Sequence, residues 1–339
     1  MDFRQHIFKA RTIPLPPLEQ TPSDATQFQP LDWADYFENQ QSVTFGDTAF
    51  NVYCSGLSYT GPIFVFHHGA GHSGLSFALA AKHIFSSIPR GPTVVALDAR
   101  GHGCTAGENQ GDLSLERMVD DFVGVIQELF PNNSRAVVLV GHSMGGAVVA
   151  HAAESRRISR VTGLVLIDIV EGTAMDSLSS IPMFIGARPS TFSSVESAIK
   201  WHLDSGAIQN TDSARLSVPS LVVPTQGDGA VAWTWRTRLL PTERFWPGWY
   251  TGLSKTFVAA PTAKLLILAG TDRLDKELLI AQMQGKFQLE LLPAAGHTIQ
   301  EDLPDRVGDT IVAFWRRNQP LNIPVRRPDI PSSVSQQQQ

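Results

Sequence analysis

Residues 136–153 read AVVLVGHSMGGAVVAHAA, and this stretch decides the fold of the chain. The apolar run 136–140 predicts a strand covered on both faces, and the small and apolar residues after Gly145 predict a helix. Between them, Gly141 and Gly145 flank Ser143 at a spacing of two. Such a turn, a nucleophile elbow, holds the serine hydroxyl clear of the backbone. An ordinary glycine-rich turn is the alternative, and the flanking strand and helix favour the elbow.

The remaining chain alternates short apolar runs with helical periodicity. This alternation predicts a mainly parallel central sheet with helices on both faces, the α/β-hydrolase fold. The predicted strands lie at residues 63–67, 93–98, 136–140, 163–168, 264–270 and 287–292. The predicted helices lie at residues 75–88, 115–130, 144–156 and 303–317. Residues 42–56 alternate in polarity around Gly46-Asp47, which predicts an antiparallel hairpin.

A long gap separates Asp168 from the strand that starts near Lys264. About 95 residues without structure are implausible inside a compact domain, so we expect a cap inserted at about residues 172–262. Its predicted helices lie at 175–186, 193–206 and 231–241, and its predicted loop at 215–230. Segments 1–30 and 320–339 are rich in proline and in polar residues such as glutamine, which predicts that they are flexible. The hydrolase domain is therefore expected at residues 31–319.

Charge and cysteine content limit the classes of partner. The formal net charge is −5 and the pI is about 6.0, so no basic surface field favours nucleic acid or an anionic membrane. Two cysteines are too few for a disulfide scaffold and favour a reducing compartment. No apolar leader or membrane-spanning run is present in the sequence. We therefore expect an intracellular protein, cytoplasmic or nuclear, that binds neither nucleic acid nor membrane.

A serine hydroxyl is a weak nucleophile and needs a base within hydrogen-bond reach. His297 is the best candidate, because it follows the last predicted strand and precedes the C-terminal helix. Gly296 gives its loop room to aim the ring. A loop histidine is more often a solvated surface residue, but the chain order after the elbow favours the base.

The acid that orients the base has two candidates. Asp168 and Asp272 each end a predicted strand, and each lies between the serine and the histidine in the chain. Either aspartate could instead be a turn residue or a helix N-cap, a role also open to Asp275. The residues alone leave the choice open.

The oxyanion of an acyl-transfer reaction requires two hydrogen-bond donors. The amide of Met144 is expected to be one, and the amide of Ala70, in the loop HHGAGHSG at 67–74, the other. A metal site is an alternative for this region, since it contains His67, His68 and His72. This alternative is the weaker one, because no carboxylate accompanies the histidines at metal-binding spacing. We expect no metal and no cofactor.

Several longer motifs lie in the elbow, the cap and the last strands. They are IDIVEGTAMDSL, RPSTFSSVESAIKWHLDSGAIQN, SARLSVP, TERFWPGWYTGLSKTF, LLILAGTDRLDKELLIAQMQGKFQLELLPAAGHTIQEDLPD and GHSMGGAVVAHAA. Through these motifs the chain resembles the protein phosphatase methylesterases, over roughly residues 35–318. Animal members carry a long acidic insertion in the cap, whereas the corresponding stretch here is short and nearly uncharged.

The resemblance implies removal of the methyl ester from the C-terminal leucine of the type 2A protein phosphatase catalytic subunit, which would be the partner. It also implies that Asp168, rather than Asp272, is the acid beside Ser143 and His297. Among the cap residues, Trp246, Trp249, Arg236 and Arg238 are expected to receive the peptide tail, although the tryptophans could equally pack the cap onto the sheet.

Two other functions fit the same residues. A small-molecule carboxylesterase or lipase would use the same triad beneath an apolar cap. A phosphatase-binding inhibitor would have esterase activity only as a secondary property. Epoxide hydrolases and dehalogenases are disfavoured, because their chemistry needs a carboxylate where this chain has Ser143.

Overall fold

A computed structural model describes residues 27–89, 91–226, 231–270 and 274–319. The strands are β1 (Asn39–Phe45), β2 (Thr48–Ser55), β3 (Ile63–His67), β4 (Thr93–Leu97), β5 (Ala106–Gly107), β6 (Val137–His142), β7 (Val161–Ile167), β8 (Thr191–Phe192), β9 (Val222–Gln226), β10 (Val231–Trp235), β11 (Ala263–Leu268) and β12 (Gln288–Leu291). The helices are α1 (Ala78–Ser87), α2 (Leu115–Leu129), α3 (Met144–Glu154), α4 (Glu171–Ser177), α5 (Ile181–Gly186), α6 (Val195–Asp204), α7 (Thr211–Ser217), α8 (Trp246–Tyr250), α9 (Leu253–Ala259), α10 (Lys276–Met283), α11 (Ile299–Asp302) and α12 (Pro304–Arg317).

The main sheet has the order β1-β2-β4-β3-β6-β7-β11-β12, with β5 paired to β2. Strands β1 and β2 form the predicted antiparallel hairpin, and β2 pairs antiparallel with β4. From β4 to β12 all neighbouring strands run parallel. The carboxyl ends of β3, β6 and β7 therefore meet at one edge, where ligands bind in open α/β sheets.

The two faces of the sheet bury two separate apolar cores. On β3, Ile63 and Val65 belong to one core, and Phe64 and Phe66 belong to the other. Helices α2, α3 and α9 cover the first face, and α1 and α12 cover the second. This double coverage explains why the strands read as continuous apolar runs, and it confirms the predicted fold class.

The chain between β7 and β11 forms a set of helices and a small antiparallel sheet of order β8-β10-β9. The predicted helix at 231–241 is wrong, because Val231–Trp235 is the central strand of this sheet. The predicted loop at 215–230 is also wrong over its described part, which holds the end of α7, a 3-10 helix and β9. Residues 227–230 lie outside the described residues.

The expected N-terminal segment lies mostly outside the described residues, as does the whole of 320–339. Its described end is packed. Phe28 is buried in a core with α6 residues, and the Lys200 ammonium lies 5.4 Å from its ring centroid. Arg215 Nε donates to the Gln29 carbonyl at 2.7 Å. Residues 28 and 29 are thus in contact with the cap.

Within the part of the chain that the structure covers, no helix combines the length and the apolar character needed to cross a bilayer.

Candidate active site

Ser143 lies at the sharp turn between β6 and α3. Its backbone has φ 52° and ψ −120°, a strained conformation for a residue with a side chain. The flanking glycines are required by close packing. A Cβ on Gly141 would approach the Gly145 carbonyl oxygen to 2.2 Å, and a Cβ on Gly145 would approach the His67 carbonyl oxygen to 2.2 Å. The backbone geometry is that of a nucleophile elbow.

Asp168 and His297 are joined by a hydrogen bond. The His297 Nδ1 to Asp168 Oδ2 distance is 2.7 Å. Asp168 follows β7, the neighbour of the serine's strand, and its side chain is fully buried, with Oδ1 accepting from the Ala269 amide at 3.1 Å. The alternative acid, Asp272, lies outside the described residues, whereas Asp275 caps α10 by accepting from the Leu278 amide.

The Asp168 contact fixes the tautomer of the His297 ring. An ionised carboxylate only accepts hydrogen bonds, so Nδ1 carries the proton and Nε2 is left as the basic nitrogen. The His297 side chain is 24% exposed and Ser143 is half-buried, so both are open to a substrate. Ser143 and His297, both within the described part of the chain, are not hydrogen-bonded to each other in this structure. Such contacts often tighten only when substrate is bound.

Tyr250, the last residue of α8, also faces the serine. Burial raises the pKa of its hydroxyl to about 12, while interaction with the Ser143 side chain acts in the opposite direction. The phenol is therefore neutral at physiological pH and contributes a polar group beside the nucleophile.

His142 supports the loop that carries the base. Its Nε2 donates to the His297 carbonyl oxygen at 2.9 Å, and the two ring centroids are 4.8 Å apart. Burial first, and then the neighbouring His297 and His72, hold the pKa of His142 well below its ordinary value. A neutral ring at this position adds no repulsion when His297 becomes protonated.

Two further buried histidines hold the loop after β3. His68 donates from Nδ1 to the Gly69 carbonyl and accepts the Ala99 amide on Nε2 at 2.9 Å. His102 donates from Nδ1 to the Arg100 carbonyl and accepts the Gly71 amide on Nε2 at 2.9 Å. Burial lowers the pKa of His102 to about 4 and holds that of His68 well below its ordinary value.

These contacts place the backbone around Ala70. Within the described residues, the amides of Ala70 and Met144 donate to no protein acceptor. Met144 is the first residue of α3, where amides have no acceptor inside the helix. Both candidate oxyanion donors are thus free to bind a substrate oxygen.

Asp302 links the base-bearing loop to the cap. Its Oδ2 accepts the Gly296 amide at 2.7 Å, next to the base, and its Oδ1 accepts the Gln209 amide at 2.8 Å, between α6 and α7. Burial is the main cause that raises the pKa of this carboxyl. The position of His297 therefore depends on the cap as well as on the sheet.

The cap residues expected to receive the peptide are mostly engaged in packing. Trp246 and Trp249 are buried, and their indole nitrogens donate to Thr242 Oγ1 at 3.0 Å and to the Leu113 carbonyl at 2.6 Å. Arg236 donates from Nε to the Ser220 carbonyl at 2.7 Å, and Arg238 is exposed. The geometry of the tryptophans favours the packing alternative, and a substrate role for all four remains a prediction.

The polar residues before the elbow strand are structural. Asp98 is buried and accepts from Asn51 Nδ2, the Gly74 amide and the Cys104 amide. Arg100 is paired with Asp121 at 2.7 Å. As for the metal alternative, the described chain contains no group of three or more His, Cys, Asp or Glu residues arranged to hold a metal ion.

Comparison with known proteins places the chain in a family. A family model described as the alpha/beta hydrolase family matches residues 64–310. The protein phosphatase methylesterase 1 of Homo sapiens is 39% identical, with 88% of this chain and 87% of that protein covered. The enzyme of the same name from Schizosaccharomyces pombe is 42% identical, with 86% and 87% covered. The chain belongs to the protein phosphatase methylesterase family. The family's Aspergillus fumigatus protein is 43% identical, with 91% of this chain and 77% of that protein covered.

Solved structures that resemble this methylesterase family member share its fold. E-2-(acetamidomethylene)succinate hydrolase superposes with a TM-score of 0.66 at 20% identity, covering 82% of this chain and 99% of that one. An esterase of M. tuberculosis superposes with a TM-score of 0.62 at 19% identity, covering 87% and 96%. At such identities the likeness extends to the fold alone.

Proposed function

We propose that this chain is a carboxyl methylesterase that removes the methyl ester from the C-terminal leucine of the type 2A protein phosphatase catalytic subunit. The observation that carries the proposal is the 2.7 Å bond between His297 Nδ1 and Asp168 Oδ2, formed beside the Ser143 elbow. Family membership supports the choice of ester, since the relatives are named protein phosphatase methylesterases.

Catalysis then proceeds through an acyl-enzyme. Ser143 Oγ attacks the ester carbonyl carbon while His297 Nε2 takes the hydroxyl proton. The carbon–methoxy bond breaks, and the proton on His297 passes to the departing oxygen, so methanol leaves. A water molecule then attacks the acyl carbon and gives a proton to His297. His297 passes that proton to Ser143 Oγ as the acyl–oxygen bond breaks, which leaves the free serine and the leucine carboxyl group.

Electrostatics lower the barrier to both steps. Asp168 stabilises the imidazolium that forms at His297, and the amides of Met144 and Ala70 bind the developing oxyanion. Each such donor is worth about 3 kcal/mol in the barrier. Because the methyl ester itself is small, discrimination between substrates must come from contacts with the rest of the phosphatase tail.

The deciding experiment measures methanol release from the methylated catalytic subunit. Wild-type chain should release methanol, and Ser143→Ala should lose at least about a thousandfold in kcat. A matched control is Ser155→Ala, directly after α3, where the hydroxyl donates to the Ala152 carbonyl and accepts the Arg157 amide. A Ser143→Ala protein that still releases methanol would refute the proposal, as would a wild type that hydrolyses only short acyl esters.

An intracellular location, cytoplasmic or nuclear, is part of the same proposal. Cys54 and Cys104 are free thiols, which suits a reducing compartment. Fractionation of cells that express the tagged chain checks this: recovery in the secreted medium would contradict it.

A further inference from the structure

Among the described residues, Arg188 is a half-buried cation without an acidic partner. It follows α5, and its guanidinium carbon lies 5.2 Å from the ring centroid of Trp235 on β10. Burial lowers the pKa of Arg188, and no carboxylate of the described chain offsets that effect. Among the described residues its guanidinium makes neither an ion pair nor a hydrogen bond. Partial removal of a charged group from water is costly when no opposite charge accompanies it.

The platform under Arg188 is rigid and uncharged. Trp235 is fixed by a 2.8 Å hydrogen bond from Nε1 to the Pro189 carbonyl. Its ring centroid lies 5.4 Å from that of Phe192, 5.8 Å from Trp201 and 5.5 Å from His202. Burial lowers the pKa of His202 to about 3, so this histidine is neutral and brings no second positive charge. A guanidinium held on such a surface is preorganised to bind a carboxylate through two parallel hydrogen bonds.

The platform under Arg188 is connected to the loop that carries His297. His202 belongs to α6, and its carbonyl accepts the Ile208 amide at 3.2 Å. The neighbouring Ala207 carbonyl accepts from Thr298 Oγ1 at 3.0 Å, and Thr298 directly follows His297. The aromatic platform that holds Arg188 is thus joined to the His297 loop through the connection between α6 and α7.

A peptide bound with its last carbonyl at Ser143 extends away from the serine by several residues. An extended chain advances about 3.3–3.6 Å per residue, so a side chain a few residues before the ester reaches the cap. We propose that Arg188, stacked on Trp235, is a carboxylate subsite that binds an acidic side chain of the substrate tail a few residues before the methyl ester. The subsite rests on the methylesterase function proposed above.

The test compares methyl-ester peptides that differ in one charge. Each carries a single Glu or the matching Gln at one of the positions two to five residues before the methylated leucine. At one position wild-type chain should favour Glu over Gln by about tenfold in kcat/KM, mainly through KM, because a hydrogen bond to a charged group contributes that much. Arg188→Gln should reduce the Glu/Gln ratio to about one, and Arg188→Lys should keep part of it.

Arg244→Gln is the matched control, because Arg244 also stacks on an aromatic ring, that of Phe245 at 4.6 Å, but is exposed. It should keep the wild-type ratio. Equal kcat/KM for Glu and Gln peptides at every position overturns the subsite, even if Arg188 variants fail to fold. So does an Arg188→Gln ratio equal to that of wild type. If all peptides are hydrolysed without a charge preference, the subsite is refuted but the methylesterase function is not. If no peptide is hydrolysed, both the subsite and the methylesterase function are refuted.

Discussion

His142 Nε2 donates a hydrogen bond to the backbone carbonyl of His297, 2.9 Å away, so the residue before the nucleophile holds the loop of the base. His142 is fixed by secondary structure, since it ends β6 and is fully buried. The His297 ring is thus positioned from two sides, by Asp168 at Nδ1 and by His142 at its backbone.

The first prediction concerns this backbone contact. His142→Ala should lower kcat by about tenfold, because removal of a donor leaves a carbonyl unpaired at a cost of about 1–3 kcal/mol. His142→Gln, which can still donate, should restore part of the loss. Steady-state kinetics on a methyl-ester peptide, with thermal melts of both variants, check this. Equal kcat values for His142→Ala and wild type would show that the contact does not position the base.

A second prediction separates the two candidate acids. Asp168→Asn should lower kcat by about ten-thousandfold, because an amide can donate to Nδ1 and impose the wrong imidazole tautomer. Asp272→Asn should keep kcat within a few-fold of wild type. Both variants are measured with the same methyl-ester peptide.

Asp275→Asn serves as the control for the second prediction, since Asp275 caps α10 and contacts Ser254 Oγ rather than the base. It should retain turnover. A larger loss for Asp272→Asn than for Asp168→Asn would reverse the assignment of the acid.

A third prediction concerns acid stability. Burial lowers the pKa of His67 and His102 to about 4 and that of His202 to about 3. Between about pH 6.5 and 4 the unfolded chain therefore binds more protons than the folded chain at these sites. The free energy of unfolding should fall as the pH falls, by up to about 1.4 kcal/mol per pH unit for each histidine.

Two buried carboxyls act against this trend. Asp98 and Asp302 have raised pKa values in the folded chain, so they take up protons there before they do so in the unfolded chain. Urea unfolding at pH 7 and pH 5, on wild type and His67→Asn, isolates one histidine. The variant should lose less stability on acidification than wild type. An identical pH dependence would mean that His67 does not titrate on unfolding.

Much of the fold follows from local sequence patterns. The parallel strands are continuous apolar runs, so strands such as β3 and β6 could be placed within a few residues. The elbow could also be predicted from the sequence, because it requires Gly141 and Gly145. A Cβ atom at either position would approach a carbonyl oxygen to 2.2 Å. Contacts between residues far apart in the chain could not be predicted from local patterns. An example is Phe28, which is buried by residues of α6.

The error in the cap has a specific cause. Val231, Trp233 and Trp235 alternate with small residues, a period-two pattern of β-branched and aromatic side chains that is typical of a strand. This period-two signal, rather than a helical one, decides the structure of the segment, so the predicted helix is wrong. A strand there also provides the platform beneath Arg188.

The hydrogen-bond partners of the histidines around the site could not be predicted from their spacing in the sequence. His68 accepts an amide 31 positions away, and His142 bonds a carbonyl 155 positions away, so their partners depend on the assembled sheet. The two candidate acids presented the same difficulty. Asp168 and Asp272 follow neighbouring strands, and their order in the chain is equally suitable. Only the position of the His297 ring distinguishes Asp168.

The most direct test of the central claim, that His297 and Asp168 activate Ser143, is to map the residue modified by a fluorophosphonate probe. Mass spectrometry of the digested protein should find a single adduct, on Ser143, and His297→Ala should abolish it in a protein that is still folded. An adduct on another residue, or labelling of Ser143 at the wild-type rate in His297→Ala, would contradict the account.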